Sequence, residues 1–387
     1  MDTYLKTKTD HCWDVIVVGA GPAGAMAAYS LARRSLRVLL VDKSSFPRSK
    51  VCGCCLNGQA ISLLQSRGLS HVINSRGAVA LHRLVLASRG NQAVIPLPTG
   101  VALSREVLDT SLVDAAVEHG AVFMSDTIAS LGPISYRSRK VLLRTHEEQF
   151  EANAAVILAA DGLAGTLSRA ESSAIEKEHS RVGAAVIIEQ GPAFYQSGTI
   201  YMACGIGGYV GLARLEDGRL NIAAAFDLKT LKEIGHPGRL AASIIKQAGF
   251  PSIPNLPDLQ WKGTPSLARR ASKLAGERLF ILGDAAGFVE PFTGEGIAWA
   301  LQAGVAVAPL VEQGVNNWNP RLEVQWTATF HREVVRRQMI CRLTAAALRR
   351  HRLTALVVRL LALFPALSLP IVRRLNTRHG FRTGSMA

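Results

Sequence analysis

A chain of 387 residues with 48% hydrophobic and 19% charged residues can bury a large core over two or three domains, which excludes a disordered polymer. The formal net charge of +15 points at first to nucleic acid or a membrane surface. Residues 331–387, however, hold twelve Arg, no Lys and one acid, Glu333, so this tail carries +11 and leaves +4 for everything before it. The first twelve residues are polar and of mixed charge; no secretory signal is expected, and with it a cytoplasmic, reducing setting without structural disulfides.

The first predicted element is a buried parallel strand over the apolar run Val15–Val18. Gly19, Gly21 and Gly24 follow at G-x-G-x-x-G spacing, then an Ala-rich helix through Arg34 and a second apolar strand, Val38–Val41, ending in Asp42. Gly19 permits the tight turn, Gly21 lets backbone approach a pyrophosphate, and Gly24 lets the helix pack closely on the strand. Pro22 and Ala23 open a helix whose free N–H groups and positive dipole favour phosphate. Asp42 is placed to accept from ribose hydroxyls, and Lys43 adjoins it as a further nucleotide-binding candidate.

Residues 43–58 read as a loop rich in Ser, Cys and Gly, leading to a helix over Gln59–Ser66. Helical periodicity returns over 104–119, with Ser104 as N-cap and Val107 where a capping box would need Glu. Strands are expected at Ala121–Ser125, Val141–Thr145 and Ala154–Ala160, the last closing on Asp161-Gly162. Val182–Ile188, Gly198–Met202, Gly208–Leu215 and Leu220–Phe226 read as an antiparallel sheet, with Asp217-Gly218 turning a hairpin. Gly205, Gly207 and Gly208 lack a following helix and acid, so they read as strand–turn backbone and not a second dinucleotide site. Pro251, Pro254 and Pro257 mark a loop; a strand at Arg278–Leu282 then leads to Gly283-Asp284 and a helix over Gly294–Val311. The strand–acid–helix pattern thus returns late, so the nucleotide domain is assembled from separated segments. The division expected is 1–80, 101–180 and 270–315 for that domain, 81–100 and 181–269 for a substrate-binding antiparallel sheet, and 316–387 for basic, apolar C-terminal helices.

Three motifs in this order resemble the flavoprotein superfamily of p-hydroxybenzoate hydroxylase-type monooxygenases and geranylgeranyl reductases, over about residues 13–310. They are the glycine turn, Asp161-Gly162, and Gly283-Asp284 with the loop Pro291 to Ile297. The resemblance implies an α/β, Rossmann-like FAD-binding domain with an inserted antiparallel-sheet domain, FAD as cofactor and NAD(P)H as transient electron donor. It implies that Asp284 bonds a ribityl hydroxyl and that Arg105 reaches the FAD phosphates. Asp161 and Gly162 match a motif linked to both FAD and the nicotinamide. Pro291, Gly294, Gly296 and Ile297 would approach the isoalloxazine ring, with the following helix N-terminus stabilising negative charge on reduced flavin.

The segment Lys50-Val51-Cys52-Gly53-Cys54-Cys55 resembles the Lys-x-Cys-Gly-Gly of the geranylgeranyl-reductase branch, with Cys54 in place of the second glycine. Two readings stand. Either Cys52, Gly53 and Cys54 lie at the flavin, with Cys52, Cys54 and Lys50 as catalytic candidates from position, or they are small residues filling a tight turn. The spacing is not the C-x4-C of disulfide reductases and does not fit zinc, so no metal is expected. The branch's aromatic Tyr-x-Trp-x-Phe-Pro segment is replaced by Gly207 to Arg214, which removes a bulky wall and implies a different substrate. Flavin-dependent halogenases need a catalytic lysine, and residues 51–139 contain none.

The expected function is therefore NAD(P)H-driven hydroxylation of a hydrophobic small molecule such as a lipid, polyketide or isoprenoid. Saturation of a C=C bond is the alternative, with halogenation or a non-catalytic, membrane-attached flavin-binding role behind it. Residues 353–372 are apolar, but Arg359 and the helix breakers Pro365 and Pro370 interrupt them, and Arg349-Arg350 and Arg373-Arg374 flank them. A helix lying on an anionic membrane surface fits this pattern, peripheral and not spanning. A cap over the substrate cavity is the other reading. No aromatic-interleaved patch accompanies the arginines, so nucleic acid is not an expected partner.

Overall fold

The computed structural model describes residues 13–176, 180–290, 292, 294–370 and 372. The chain first lays down β1 (Trp13–Val18), α1 (Pro22–Ala32) and β2 (Val38–Val41), then a hairpin, β3 (Arg83–Ser88) and β4 (Asn91–Pro96). It returns with α2 (Arg105–Glu118), β5 (Val122–Met124) and β6 (Gln149–Ala159). A second excursion holds β7 (Arg181–Ile188), β8 (Thr199–Gly205), β9 (Gly208–Arg214), β10 (Leu220–Asp227), α3 (Pro237–Ala248) and β11 (Lys262–Ser266). The chain then adds β12 (Leu279–Ile281) and α4 (Gly296–Asn316), and later α5 (His351–Leu363).

Strands that are apolar on both faces need cover on both sides, and a parallel sheet flanked by helices supplies it. β12, β6, β1, β2 and β5 lie side by side in that order, all parallel, with Val15 opposite both Val38 and Val156. Because these strands run the same way, Gly19, Asp42, Asp161 and Gly283 emerge along one edge of the sheet, where a doubly wound fold binds its ligand. α1 packs between this sheet and α4, and all eleven of its residues are buried. A Cβ on Gly304 of α4 would lie 2.5 Å from the Ala23 carbonyl oxygen, so the two helices meet backbone to backbone.

The second sheet orders its strands β11–β7–β10–β9–β8–β3–β4, antiparallel except at the β8–β3 pair. Gly218 turns the β9–β10 hairpin at φ +86°. Gly207 and Gly208 turn β8 into β9, and a Cβ on Gly208 would meet the Ala225 carbonyl oxygen at 2.1 Å. That glycine cluster is strand–turn backbone, as its sequence context indicates. β6 begins at Gln149, before the apolar run that marks it, because its first half pairs antiparallel with Arg139–Arg144 and alternates buried and exposed residues. α3 appears where the sequence reading places no element; His236 caps its N-terminus, and Leu240, Ile244, Ile245 and Ala248 bury one face.

α5 lies on β4 and β3. Val358 is buried with Leu86, Ile95 and Tyr209, while Leu356, Leu360, Leu363 and Phe364 face outward. No helix among the described residues is long and apolar enough to cross a membrane. Arg373 and Arg374 lie outside the described residues.

Candidate active site

The glycine turn divides its labour. Gly19 adopts φ +102°, and a Cβ there would lie 2.2 Å from the Ala160 carbonyl oxygen. A Cβ on Gly24 would lie 1.8 Å from the Gly19 carbonyl oxygen, so this glycine serves packing and does not line the cavity. Gly21 is different, because the nearest atoms to a Cβ there are the guanidinium groups of Arg48 at 3.5 Å and Arg105 at 3.7 Å. Two cations and the N-terminus of α1 thus face one small space, which is an anion cradle.

Arg105 opens α2, where Ser104 caps the helix by accepting from the Val107 N–H. Asp109, fully buried one turn later, grips the Arg105 guanidinium with two hydrogen bonds of 2.9 and 2.8 Å. Burial opposes the charge on Arg105, and the Asp109 carboxylate overrides it and holds the group protonated. Sequence reasoning missed Arg48, whose guanidinium lies 3.3 Å from Asp42, 3.4 Å from Asp109 and over the Phe46 ring. Asp42 clamps the turn by accepting from the Ala20 N–H at 2.8 Å and the Ser44 N–H at 3.0 Å. A carboxylate oxygen takes two donors, so the oxygen bonded to Ser44 keeps a place for a ribose hydroxyl.

At the end of β12, Gly283 turns at φ +62° against the Ala23 side chain and sets Asp284 beside the cradle. Gly294 (φ +72°), Gly296 and Ile297 line the far side of the same cavity, and Pro291 lies outside the described residues. Asp161 and Gly162 also line it, though the Asp161 carboxylate caps the next turn by accepting from the Leu167 N–H at 2.8 Å. Cys52, Gly53, Cys54, Lys50 and Lys43 complete this part of the wall of a cavity of about 390 Å³. Burial, helped by Arg48, pulls the Lys50 ammonium down to about 8. Hydrogen bonding from the Cys54 thiol, with Arg105 nearby, outweighs burial and pulls Cys52 down to about 6.

Residues 12–200 match the family described as FAD binding domain. Menaquinone reductase of Mycolicibacterium smegmatis is 29% identical over 339 residues, spanning 78% of this chain and 76% of its own. Digeranylgeranylglycerophospholipid reductase 2 of Methanothermobacter thermautotrophicus is 26% identical over 329 residues, spanning 81% and 83%. The chain is an FAD-dependent oxidoreductase whose N-terminal part carries the FAD-binding match. Among solved structures, a geranylgeranyl bacteriochlorophyll reductase-like protein of Thermoplasma acidophilum superposes with a TM-score of 0.76 at 18% identity, covering 94% of this chain and 98% of its own. A flavin-dependent brominase superposes with a TM-score of 0.76 at 16% identity, covering 95% and 94%. These two likenesses are of fold.

The residues of the flavoprotein fit the cofactor. Arg48, Arg105 and the α1 amides would hold the two phosphates, Asp42 the ribose, and Asp284 the ribityl chain. When bound, FAD supplies two-electron transfer between a nicotinamide donor and a substrate. Beyond the cradle the cavity continues along the second sheet, lined by Gly183, Met202, Gly211, Ala223 and Leu267. Tyr209 of β9, which the sequence reading names only as part of a lost aromatic segment, stands in this wall. It is buried, edge-on to Phe292 at 5.0 Å and 5.6 Å from the Arg181 guanidinium. Burial and the nearby Glu290 carboxylate push its phenol well up, so it keeps its proton at neutral pH.

Asp284 gives a pH-dependent test of the cofactor-free flavoprotein. Burial pushes its carboxyl from 3.8 up to about 6. Its folded value lies above its unfolded one, so the ionised form destabilises the fold above about pH 6, and this penalty disappears as pH falls towards 4. Asp284→Asn is therefore expected to raise the melting temperature of flavin-free protein at pH 8. The gap to wild type closes near pH 4, and FAD binds the variant more weakly. Scanning fluorimetry across pH reads the first effect and flavin fluorescence the second.

Proposed function

We propose that this flavoprotein saturates a carbon–carbon double bond in the apolar chain of an isoprenoid lipid, with NAD(P)H as electron source. The observation that carries the reading is the apolar compartment continuing from the flavin cradle, floored by Gly183, Gly211 and Ala223 and bearing the protonated Tyr209 phenol. Saturation places a hydride on one carbon and a proton on the other, so it needs a proton-bearing group beside an apolar chain. Tyr209 is such a group. The names of the two curated relatives, for a menaquinone and a digeranylgeranylglycerophospholipid, support the same substrate class. Hydroxylation is the second reading, favoured by the missing aromatic wall at Gly207 to Arg214.

The lipid would come from an anionic membrane surface. Leu356, Leu360, Leu363 and Phe364 face outward from α5 and the residue after it, beside exposed Arg349, Arg350, Arg352 and Arg359. This combination suits headgroups above and acyl chains below. The opposite side of α5 reaches the cluster that contains Tyr209.

Purified holoenzyme, NADPH and menaquinone or a geranylgeranyl lipid in vesicles, incubated without oxygen, test the proposal. A product heavier by two hydrogens, formed faster on anionic than on neutral vesicles, is expected. Product heavier by one oxygen atom, formed only in air with matching oxygen uptake, would overturn it in favour of hydroxylation.

A further inference from the structure

The turn after Lys50 departs at Cys54 from the geranylgeranyl-reductase-branch motif it resembles, in which a second glycine stands there. Its backbone nevertheless keeps the glycine conformation, with φ +57°. A residue with a side chain rarely adopts this conformation, and such strain gathers where a side chain is used. The Cys54 N–H donates to Cys52 Sγ at 3.3 Å, and Cys54 Sγ lies 3.7 Å from the Cys52 carbonyl oxygen. Both are free thiols in the wall of the flavin cavity. Asn221 of β10 donates to the Cys52 carbonyl at 3.0 Å and ties the turn to the second sheet. The neighbouring Arg105 favours a thiolate at Cys52, the form that attacks and leaves in disulfide exchange. Cys55 is set apart: its Sγ bonds the Gly53 carbonyl, and burial pushes its thiol up to about 12.

We propose that Cys52 and Cys54 form a redox-active dithiol that exchanges two electrons with FAD, so that the holoenzyme stores four electrons where flavin alone stores two. From the Cys52 thiolate and the Cys54 thiol, one S–H bond breaks and one S–S bond forms, releasing two electrons and one proton. FAD takes both electrons and that proton. In the reverse direction the reduced cofactor returns them and restores the thiolate and the thiol. The proposal needs bound FAD and is independent of which lipid is the substrate.

Anaerobic dithionite titration of oxidised holoenzyme, followed by flavin absorbance, reads the electron count. Wild type is expected to take twice the reductant per flavin that Cys54→Gly takes, and glycine suits the backbone at that position. Cys55→Ser is expected to keep the wild-type count. A second measurement needs no variant: wild-type apo-protein is oxidised with a diazene reagent, alkylated with N-ethylmaleimide and peptide-mapped. A peptide two hydrogens lighter, with Cys52 and Cys54 both protected, is expected, and in reduced protein the rate of Cys52 alkylation should inflect near pH 6. Two-electron uptake by wild type overturns the proposal. So does an oxidised protein in which both thiols still alkylate, or in which Cys52 pairs with Cys55.

Discussion

Arg105→Met protein is expected to purify without yellow colour and to bind added FAD at least about 100-fold more weakly than wild type. Hydrogen bonds to charged groups contribute about 1.5–3 kcal/mol each, and a guanidinium fork facing a pyrophosphate makes more than one. A loss of about 3 kcal/mol already exceeds 100-fold in affinity. The substitution also strips the two 2.8–2.9 Å bonds from Asp109, leaving a fully buried carboxylate with Arg48 at 3.4 Å. Stability therefore falls too, and Arg105→Met combined with Asp109→Asn separates the effects. The double variant should regain stability, because the unpaired acid is gone, without regaining the cofactor. Arg105→Lys keeps the charge but not the fork and should fall between. Flavin fluorescence titration of apo-protein reads the affinity, and wild-type flavin content in Arg105→Met would show that the phosphates lie elsewhere.

What the sequence reveals of this site is what local rules encode. β1, the Gly19–Gly24 turn, α1 and β2 are contiguous, and strand apolarity, glycine spacing and an N-terminal helix dipole each leave a mark within a few residues. Ser104 is legible as a cap for the same reason. Arg48 is not legible, because its burial depends on Asp42 and Asp109, carboxylates from separate elements that meet only in the folded chain. Tyr209 is equally silent, since its place is fixed by Phe292 and Arg181 from distant segments. Asp161 shows a motif residue with a local role as well: it lines the cavity, and one carboxylate oxygen accepts from the Leu167 N–H, a contact the motif does not announce. α3 was within reach: His236, Pro237 and Gly249 punctuate it, and Leu240, Ile244 and Ala248 give the helical stripe.

Glu290→Ala is expected to lower the unfolding free energy by about 3–5 kcal/mol, the range for removing one partner of a buried ion pair. Arg181 and Glu290 are each only 2% exposed at the side chain and meet at 2.8 Å. Arg181 also bonds the half-exposed Asp227 at 2.9 Å, and its third nitrogen reaches the Leu348 carbonyl at 3.4 Å. The pair therefore joins β7, the segment before Gly294, and the C-terminal region around one cation. Removing Glu290 leaves that cation buried with a solvated carboxylate as its main partner, while burial continues to oppose its charge. Glu290→Gln keeps an acceptor and should lose less. Arg181→Met with Glu290→Leu removes both charges and should recover most of the stability, since an apolar pair of similar volume needs no partner. Tyr209 separates stability from chemistry, because both charged neighbours that hold its ring and phenol vanish in the double variant. That variant is expected to fold and bind FAD while turning over its lipid more slowly. Urea unfolding measures the first difference and single-turnover product formation the second. A Glu290→Ala protein as stable as wild type would mean that Asp227 alone satisfies Arg181.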